Sequence, residues 1–332
     1  MGGGSYSGDV TAAFRSTAKD LGYSDTFKRD ADIKSGKIAA AIADALNPLM
    51  MKNGVRESCD SDEHPESRAI AVFLDVTGSM RNVPKNVMRK LPELMGAITK
   101  HGAIEHPQLL FGAVGDAYCD SFPMQIGQFE SSNVMDTQLS DFILEGGGGG
   151  NSSESYDLVM YFLARCCEID CYKKRGQKGY AFLIEDEPIT PKLYDGHVGQ
   201  VFGQKTQPMS FEDIVKEAQE KWDIFIIRPA STSHGRNKGV TDEWKALFPQ
   251  RVIELADEEN ICETIALALA AVEGVDIDDM ARDFVKSGTS LAKIDAITKT
   301  IVLSAGKAIV PKSAKAEGTL VVAGETAGAE RL

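Results

Sequence analysis

From residue 69 to residue 74 the chain reads Ala-Ile-Ala-Val-Phe-Leu without a polar break, and then meets Asp75. A strand with one wet face alternates apolar and polar residues. An unbroken apolar run marks a strand buried on both faces, which requires helices above and below it. Further strand-like runs stand at 109–114, 179–184, 224–227 and 252–255. Between them lie segments with helical spacing, at 84–101, 134–144, 155–167, 211–221, 242–247 and 258–272. Strands alternating with amphipathic helices predict an α/β chain: a Rossmann-like, doubly wound, mostly parallel central sheet with helices on both faces. Residues 122–129 read as a return strand, which would make one edge of the sheet antiparallel.

The pattern divides the chain into three parts. Residues 67–273 carry the alternation and form the main domain. Residues 1–66 read as an irregular polar arm with one short helix at 37–51, ended or kinked by Pro48. Residues 274–332 hold a helix at 291–303 and then a tail, 306–332, without periodicity, read as loosely ordered or partner-dependent. The length of 332 residues fits one large domain or two small ones. Lys and Arg number 36 against 49 Asp and Glu, a net charge of −13, which argues against broad binding to nucleic acid or anionic membranes. No apolar run reaches the roughly 20 residues that span a bilayer. The start lacks the basic and apolar regions of a signal peptide, and Tyr6 stands where a myristoylation motif wants Ser or Thr. Six cysteines in a chain of this length make no disulfide framework, so the cytoplasm is the expected compartment. Cys166, Cys167 and Cys171 lack paired C-x-x-C spacing and read as thiols on a half-buried helix. The five histidines, His64, His101, His106, His197 and His234, are scattered, with no pair at metal-ligand spacing.

In open α/β sheets ligands bind at the carboxyl ends of the strands, so the polar residues there matter most. The first buried strand ends in Asp75-Val76-Thr77-Gly78-Ser79-Met80. An acid followed by hydroxyls two and four residues on offers three oxygen donors from one tight loop. Such donors suit a hard cation, Mg2+ or Mn2+, rather than zinc. The second strand ends near Asp116. The five glycines 146–150 lead into Asn151-Ser152-Ser153-Glu154 at a helix start, and the third strand ends in Glu185-Asp186-Glu187. Parallel strands would bring Asp75, Asp116 and Asp186 to one edge, where like charges are costly unless a cation neutralises them.

This arrangement resembles the von Willebrand factor type A family, whose metal-ion-dependent adhesion site is written D-x-S/T-x-S after the first strand. Asp75-Val76-Thr77-Gly78-Ser79-Met80 has the D-x-T-G-S-M form of its intracellular members. The Asp60-Ser61-Asp62-Glu63-His64-Pro65 lead-in and the glycine loop also look like a bacterial and phage branch of such proteins. The resemblance covers residues 67–273. It implies Asp75, Thr77 and Ser79 as ligands of Mg2+ or Mn2+, with Asp186 direct or through water. Asp116, with Ser153 or Glu154, would complete the ring; the family has a threonine at this last place. The resemblance further implies a module that is not an enzyme and that binds a partner protein's Asp or Glu at the metal. Intracellular members often work with an AAA+ ATPase or in larger assemblies. Two other readings stand beside it. One is a Mg2+-dependent phosphatase-like hydrolase on the same edge, for which Arg81 is the only basic residue against the motif. The other is a phage or assembly component docking through its terminal segments. No G-x-x-x-x-G-K-[ST] loop is present, so the chain carries no P-loop ATPase of its own.

Overall fold

A computed structural model describes residues 4–24, 27–80, 82–146 and 153–305. Gly2, Arg81, the glycines from 147 to 150 with Asn151 and Ser152, and the tail 306–332 lie outside these residues.

The polar arm is more ordered than its sequence suggests. It holds two helices, α1 (Gly8–Asp20) and α2 (Lys28–Lys34), and a short strand, β1 (Arg56–Ser58). The helix expected at 37–51 is absent: Asp44–Leu46 and Pro48–Met50 are separate 3-10 turns. Pro48 opens the second turn, with the Asn47 side chain accepting from the Leu49 N–H at 3.0 Å. A proline and a capping asparagine favour a restart over a continuous helix.

The main domain follows as β2 (Arg68–Asp75), α3 (Val83–Lys100), β3 (Pro107–Val114), β4 (Met124–Ile126), α4 (Val134–Ser140) and α5 (Tyr156–Arg165). Next come β5 (Cys167–Ile169), α6 (Asp170–Arg175), β6 (Gly179–Ile184), β7 (Lys192–Leu193), α7 (Asp195–Phe202) and β8 (Met209–Ser210). It closes with α8 (Phe211–Lys221), β9 (Trp222–Pro229), α9 (Lys238–Leu247), β10 (Val252–Leu255) and α10 (Ile261–Glu273). Helices α11 (Ile277–Lys286) and α12 (Leu291–Ala305) complete the described chain.

Six strands form the central sheet in the order β10-β9-β6-β2-β3-β4, parallel except for the β3–β4 pair. Strand side chains alternate between two cores, as a period of two dictates. Ile70, Val72 and Leu74 face one core, with α3 and α10. Ala69, Ala71 and Phe73 face the other, with α5, α8 and α9. Every residue of β2 from Ala69 to Asp75 is buried, which is why the run carries no polar break. The Rossmann-like reading of the sequence therefore holds, with its antiparallel edge at β4.

The three cysteines do not share a helix. Cys166 caps α5, Cys167 lies in β5, which pairs with β1, and Cys171 lies in α6. All three are buried free thiols. The arm and the main domain are joined by buried polar contacts. The Thr11 hydroxyl donates to Asp136 at 2.7 Å, and the Arg56 guanidinium donates to the Ile126 carbonyl at 2.8 Å.

Register sets where the loops meet. Asp75 pairs with Val114 of β3, and Leu74 pairs with Ile184 of β6, so these three strands end level. From β2 the chain runs outward through β3 to β4, then returns to build β6, β9 and β10 on the other side. The β2–β6 boundary is thus the point where the strand order reverses, where such sheets leave a crevice for ligands.

Candidate metal centre at the carboxyl edge of the sheet

Asp75 is fully buried at the end of β2. Its Oδ1 accepts from the Thr77 N–H at 2.8 Å and from the Thr77 hydroxyl at 2.6 Å. Its Oδ2 accepts from the Tyr156 hydroxyl at 2.7 Å. The Thr77 and Ser79 hydroxyl oxygens are 3.0 Å apart, and the Ser79 hydroxyl donates to Asp186 Oδ1 at 2.9 Å. The other Asp186 oxygen accepts from the His234 backbone N–H at 3.1 Å.

The chain Asp75–Thr77–Ser79–Asp186 therefore contains three oxygen–oxygen contacts. A hydroxyl has one proton and two lone pairs, and an ionised carboxylate has none to give. Thr77 gives its proton to Asp75 and Ser79 gives its own to Asp186. The contact between the two hydroxyls is then left with lone pairs on both sides. Either a carboxylate takes up a proton, or a cation sits against the oxygens.

The surrounding charge has the same character. Burial, opposed by bonds from Thr77 and Tyr156 and reinforced by Asp186, pushes the Asp75 carboxyl up to about 7. Glu154 stands just before α5 and is buried. Its Oε2 has no hydrogen-bond partner. Burial, then the charges of Asp75, Asp116, Asp120 and Glu187, push it up to about 9. Glu187 is buried as well, and its Oε2 likewise lacks a partner. Its Oε1 pairs with His234 Nδ1 at 2.9 Å. Asp186, Glu187 and His234 can bring one ligand atom each within 4.8 Å of one another.

One cation beneath these acids is already engaged. Arg228, fully buried in β9, binds Glu185 Oε1 through Nε at 2.8 Å. It also donates to the Asp186 carbonyl at 2.8 Å, the His234 carbonyl at 3.0 Å and the Thr241 hydroxyl. Burial pushes Glu185 well above the usual carboxylate range against the pull of Arg228. Arg228 thus frames the rim from below and is tied to an acid of its own. The oxygen-rich donor set, the proton-poor hydroxyl pair and the unpartnered Glu154 oxygen fit a hard divalent cation.

The residues picked out from sequence fall out as follows. Asp75, Thr77, Ser79 and Asp186 meet in one hydrogen-bonded chain. Glu154, in the place where Ser153 was the alternative, joins them electrostatically, while Ser153 is half-exposed. Asp116 is buried at the same edge, but its Oδ1 accepts from the Tyr118 N–H at 2.9 Å and its Oδ2 from the Cys119 thiol at 3.3 Å. Much of its carboxylate is spent on holding its own turn. Ser155 locks that turn to the α5 start: its N–H donates to the Gly115 carbonyl, and its hydroxyl accepts from the Ala117 N–H at 2.8 Å.

Sequence reasoning missed three participants. Tyr156 orients Asp75 from another element, and only its place at the helix start hinted at that. His234 sits in a loop whose fold no local pattern reveals. Arg228 carried a readable signal: a charge inside the apolar run of β9 must find a buried partner.

No protein-family model and no curated protein matches this chain. Solved structures with a related arrangement include the pilus adhesin SpaC from Lactobacillus rhamnosus GG in its open conformation, at 9% identity and a TM-score of 0.43. That alignment covers 64% of this chain and 31% of the adhesin. Another is proximal thread matrix protein 1 from the mussel byssus, at 12% identity and a TM-score of 0.37, covering 64% of this chain and 49% of that one. The chain thus spans less than half the length of either neighbour, and likenesses this distant carry no argument about what it does.

Proposed function

We propose that this protein is a divalent-cation-dependent protein-interaction module of the von Willebrand factor type A kind. It takes an Asp or Glu of a partner protein at the Asp75 loop. The observation that carries the reading is the hydrogen-bonded Asp75–Thr77–Ser79–Asp186 chain, one proton short when both carboxylates are ionised, beside the unpartnered Glu154 oxygen. Asp75, Thr77, Ser79 and Asp186 would hold Mg2+ or Mn2+, with Glu154 adding charge. The bound ion would supply an open, positively charged coordination position. Tyr156 holds the Asp75 carboxylate in place, and the His234 N–H and the Ser79 hydroxyl hold Asp186. Arg228 fixes the Asp186 backbone. A partner carboxylate arriving here makes a charge-assisted contact at a shielded point, and the surrounding surface sets specificity. An AAA+ ATPase or a larger cytoplasmic assembly is the class of partner this reading favours. The hydrolase alternative needs a phosphate anchor; Arg228 is committed to Glu185, and Arg81, the basic residue next to the motif, lies outside the described residues.

Calorimetric titration with Mg2+ and Mn2+ tests the reading. Wild type should bind one ion at the site, and a saturating ion at about 100 times its Kd should stabilise the fold by about 2.7 kcal/mol. Asp75→Ala should lose both effects. Equal binding by wild type and Asp75→Ala would sink the metal site. Partner capture that survives EDTA unchanged would sink metal-bridged recognition.

A further inference from the structure

At the opposite edge of the sheet, two histidines that are far apart in sequence meet edge-on. His64 precedes β2 and His106 immediately precedes β3. Their Nδ1 atoms are 3.4 Å apart and their rings are tilted by 69°. The other nitrogen of His64, Nε2, lies 2.9 Å from the Gly4 carbonyl oxygen. A carbonyl only accepts, so Nε2 carries the proton. In the neutral form of the ring, the Nδ1 lone pair then points to His106.

We propose that His64 and His106 form a binding site for a transition-metal ion of the Zn2+ class, distinct from the oxygen-lined rim. The separation of 3.4 Å is long for a hydrogen bond, whose range for N–H donors ends at about 3.2 Å. It matches the edge of a tetrahedron around zinc, about 3.3–3.4 Å for Zn–N bonds of about 2.0–2.1 Å. A backbone carbonyl on the far nitrogen of His64 fixes the ring and its tautomer, as metal-ligating histidines usually require. A cavity of about 380 Å3 opens beside the pair, lined by His64, Glu105, Tyr6 and Thr99. Glu105 also lines the hollow on the His106 side with Glu66. The exposed Glu105 carboxylate and water would complete the coordination. Imidazole nitrogens select Zn2+ over the Mg2+ that suits an all-oxygen site. β2 has eight residues, so the two sites lie about 25 Å apart across the sheet. An ion here would clip the segment around Gly4 and the 61–66 turn to the start of β3.

Titration with Zn2+ in saturating Mg2+, and with Co2+ read by its visible tetrahedral band, tests the proposal. One Zn2+ should bind per chain at micromolar concentration. Affinity should fall about tenfold or more in His64→Ala and in His106→Ala, less in Glu105→Gln, and not at all in Asp75→Ala or His234→Ala. In the intact wild-type chain, Zn2+ should shift the ring 15N resonances of His64 and His106, a readout that needs no variant. Unmoved resonances, or histidine variants that titrate like wild type, would overturn the site. Loss of Zn2+ binding in His234→Ala would assign the ion to the Glu187 rim instead.

Discussion

Tyr156 gives its hydroxyl proton to an Asp75 carboxylate from which water is excluded, so Tyr156→Phe removes a donor that nothing replaces. The variant should lose about 1–3 kcal/mol in chemical denaturation and bind Mg2+ about tenfold more weakly by calorimetry. Glu154 offers a test with two opposite signs. Asp75 and Glu154 are both harder to ionise in the fold, at about 7 and about 9, than in the unfolded chain, at about 3.9 and about 4.3. Their contribution to the stability of the metal-free protein is fully present below about pH 4. It is lost as pH rises, by at most about 1.4 kcal/mol per unit per group, through about 7 for Asp75 and about 9 for Glu154. Glu154→Gln should therefore be more stable than wild type in EDTA near pH 9, where melting curves should separate, yet bind Mg2+ more weakly. At this scale the sequence was informative about residue types and silent about protons. Asp75, Thr77 and Ser79 are close in the chain and were legible as a donor set. That Tyr156 completes Asp75, and that one hydroxyl contact lacks a proton, follow from side chains that only the folded chain brings together.

Strand β9 and the loop after it hold the rim from one side. Arg228→Ala would leave Glu185 buried without its counterion and free the carbonyls of Asp186 and His234. The expected cost is about 3–5 kcal/mol in chemical denaturation. Arg228→Lys should recover little of it, because an ammonium cannot reproduce the planar fork that reaches five acceptors, the Asn237 carbonyl among them. In the same loop, a Cβ at Gly235 would collide with the Pro229 carbonyl oxygen, which is backbone and cannot swing away. Gly235→Ala should shift the His234 N–H off Asp186, lowering both melting temperature and Mg2+ affinity. The elements themselves were largely readable. Residues 69–74, 179–184 and 252–255 became strands close to their expected limits because burial on both faces leaves a local signature. Helices α1, α2, α7 and α11 went unread. α1 has only Thr11 and Ala18 buried along its 13 residues, so its apolar stripe is too thin to stand out. The 37–51 pattern had helical spacing but broke into turns at Pro48, where the missing N–H and the Asn47 cap outweighed periodicity.

Over the whole molecule, the arm is held to the body by charge as well as packing. Asp60 accepts from Arg175 at 2.8 Å and from Lys174 at 3.1 Å, and from the Ser67 hydroxyl at 2.8 Å. Burial raises its pKa, but these bonds outweigh it and hold the carboxyl well below the ordinary range. A depressed pKa gives stability that is present above the unfolded value, about 3.9, and lost as pH falls below it. Asp60→Asn should flatten that acid limb of the unfolding profile, and limited proteolysis should cut sooner between residues 58 and 67. Among the described residues, no helix is long and apolar enough to cross a membrane. The formal net charge of −13 counts six acids of the rim, Asp75, Asp116, Glu154, Glu185, Asp186 and Glu187, all of them buried. By itself the sequence determined the α/β class, the buried central strand and the donor loop after it, because burial and loop chemistry are written locally. Tertiary structure decided which acids share a site, that Tyr156 and Arg228 support it, and that His64 meets His106. Those facts depend on strand order and register, which join residues more than 40 positions apart and leave no trace in any short stretch of chain.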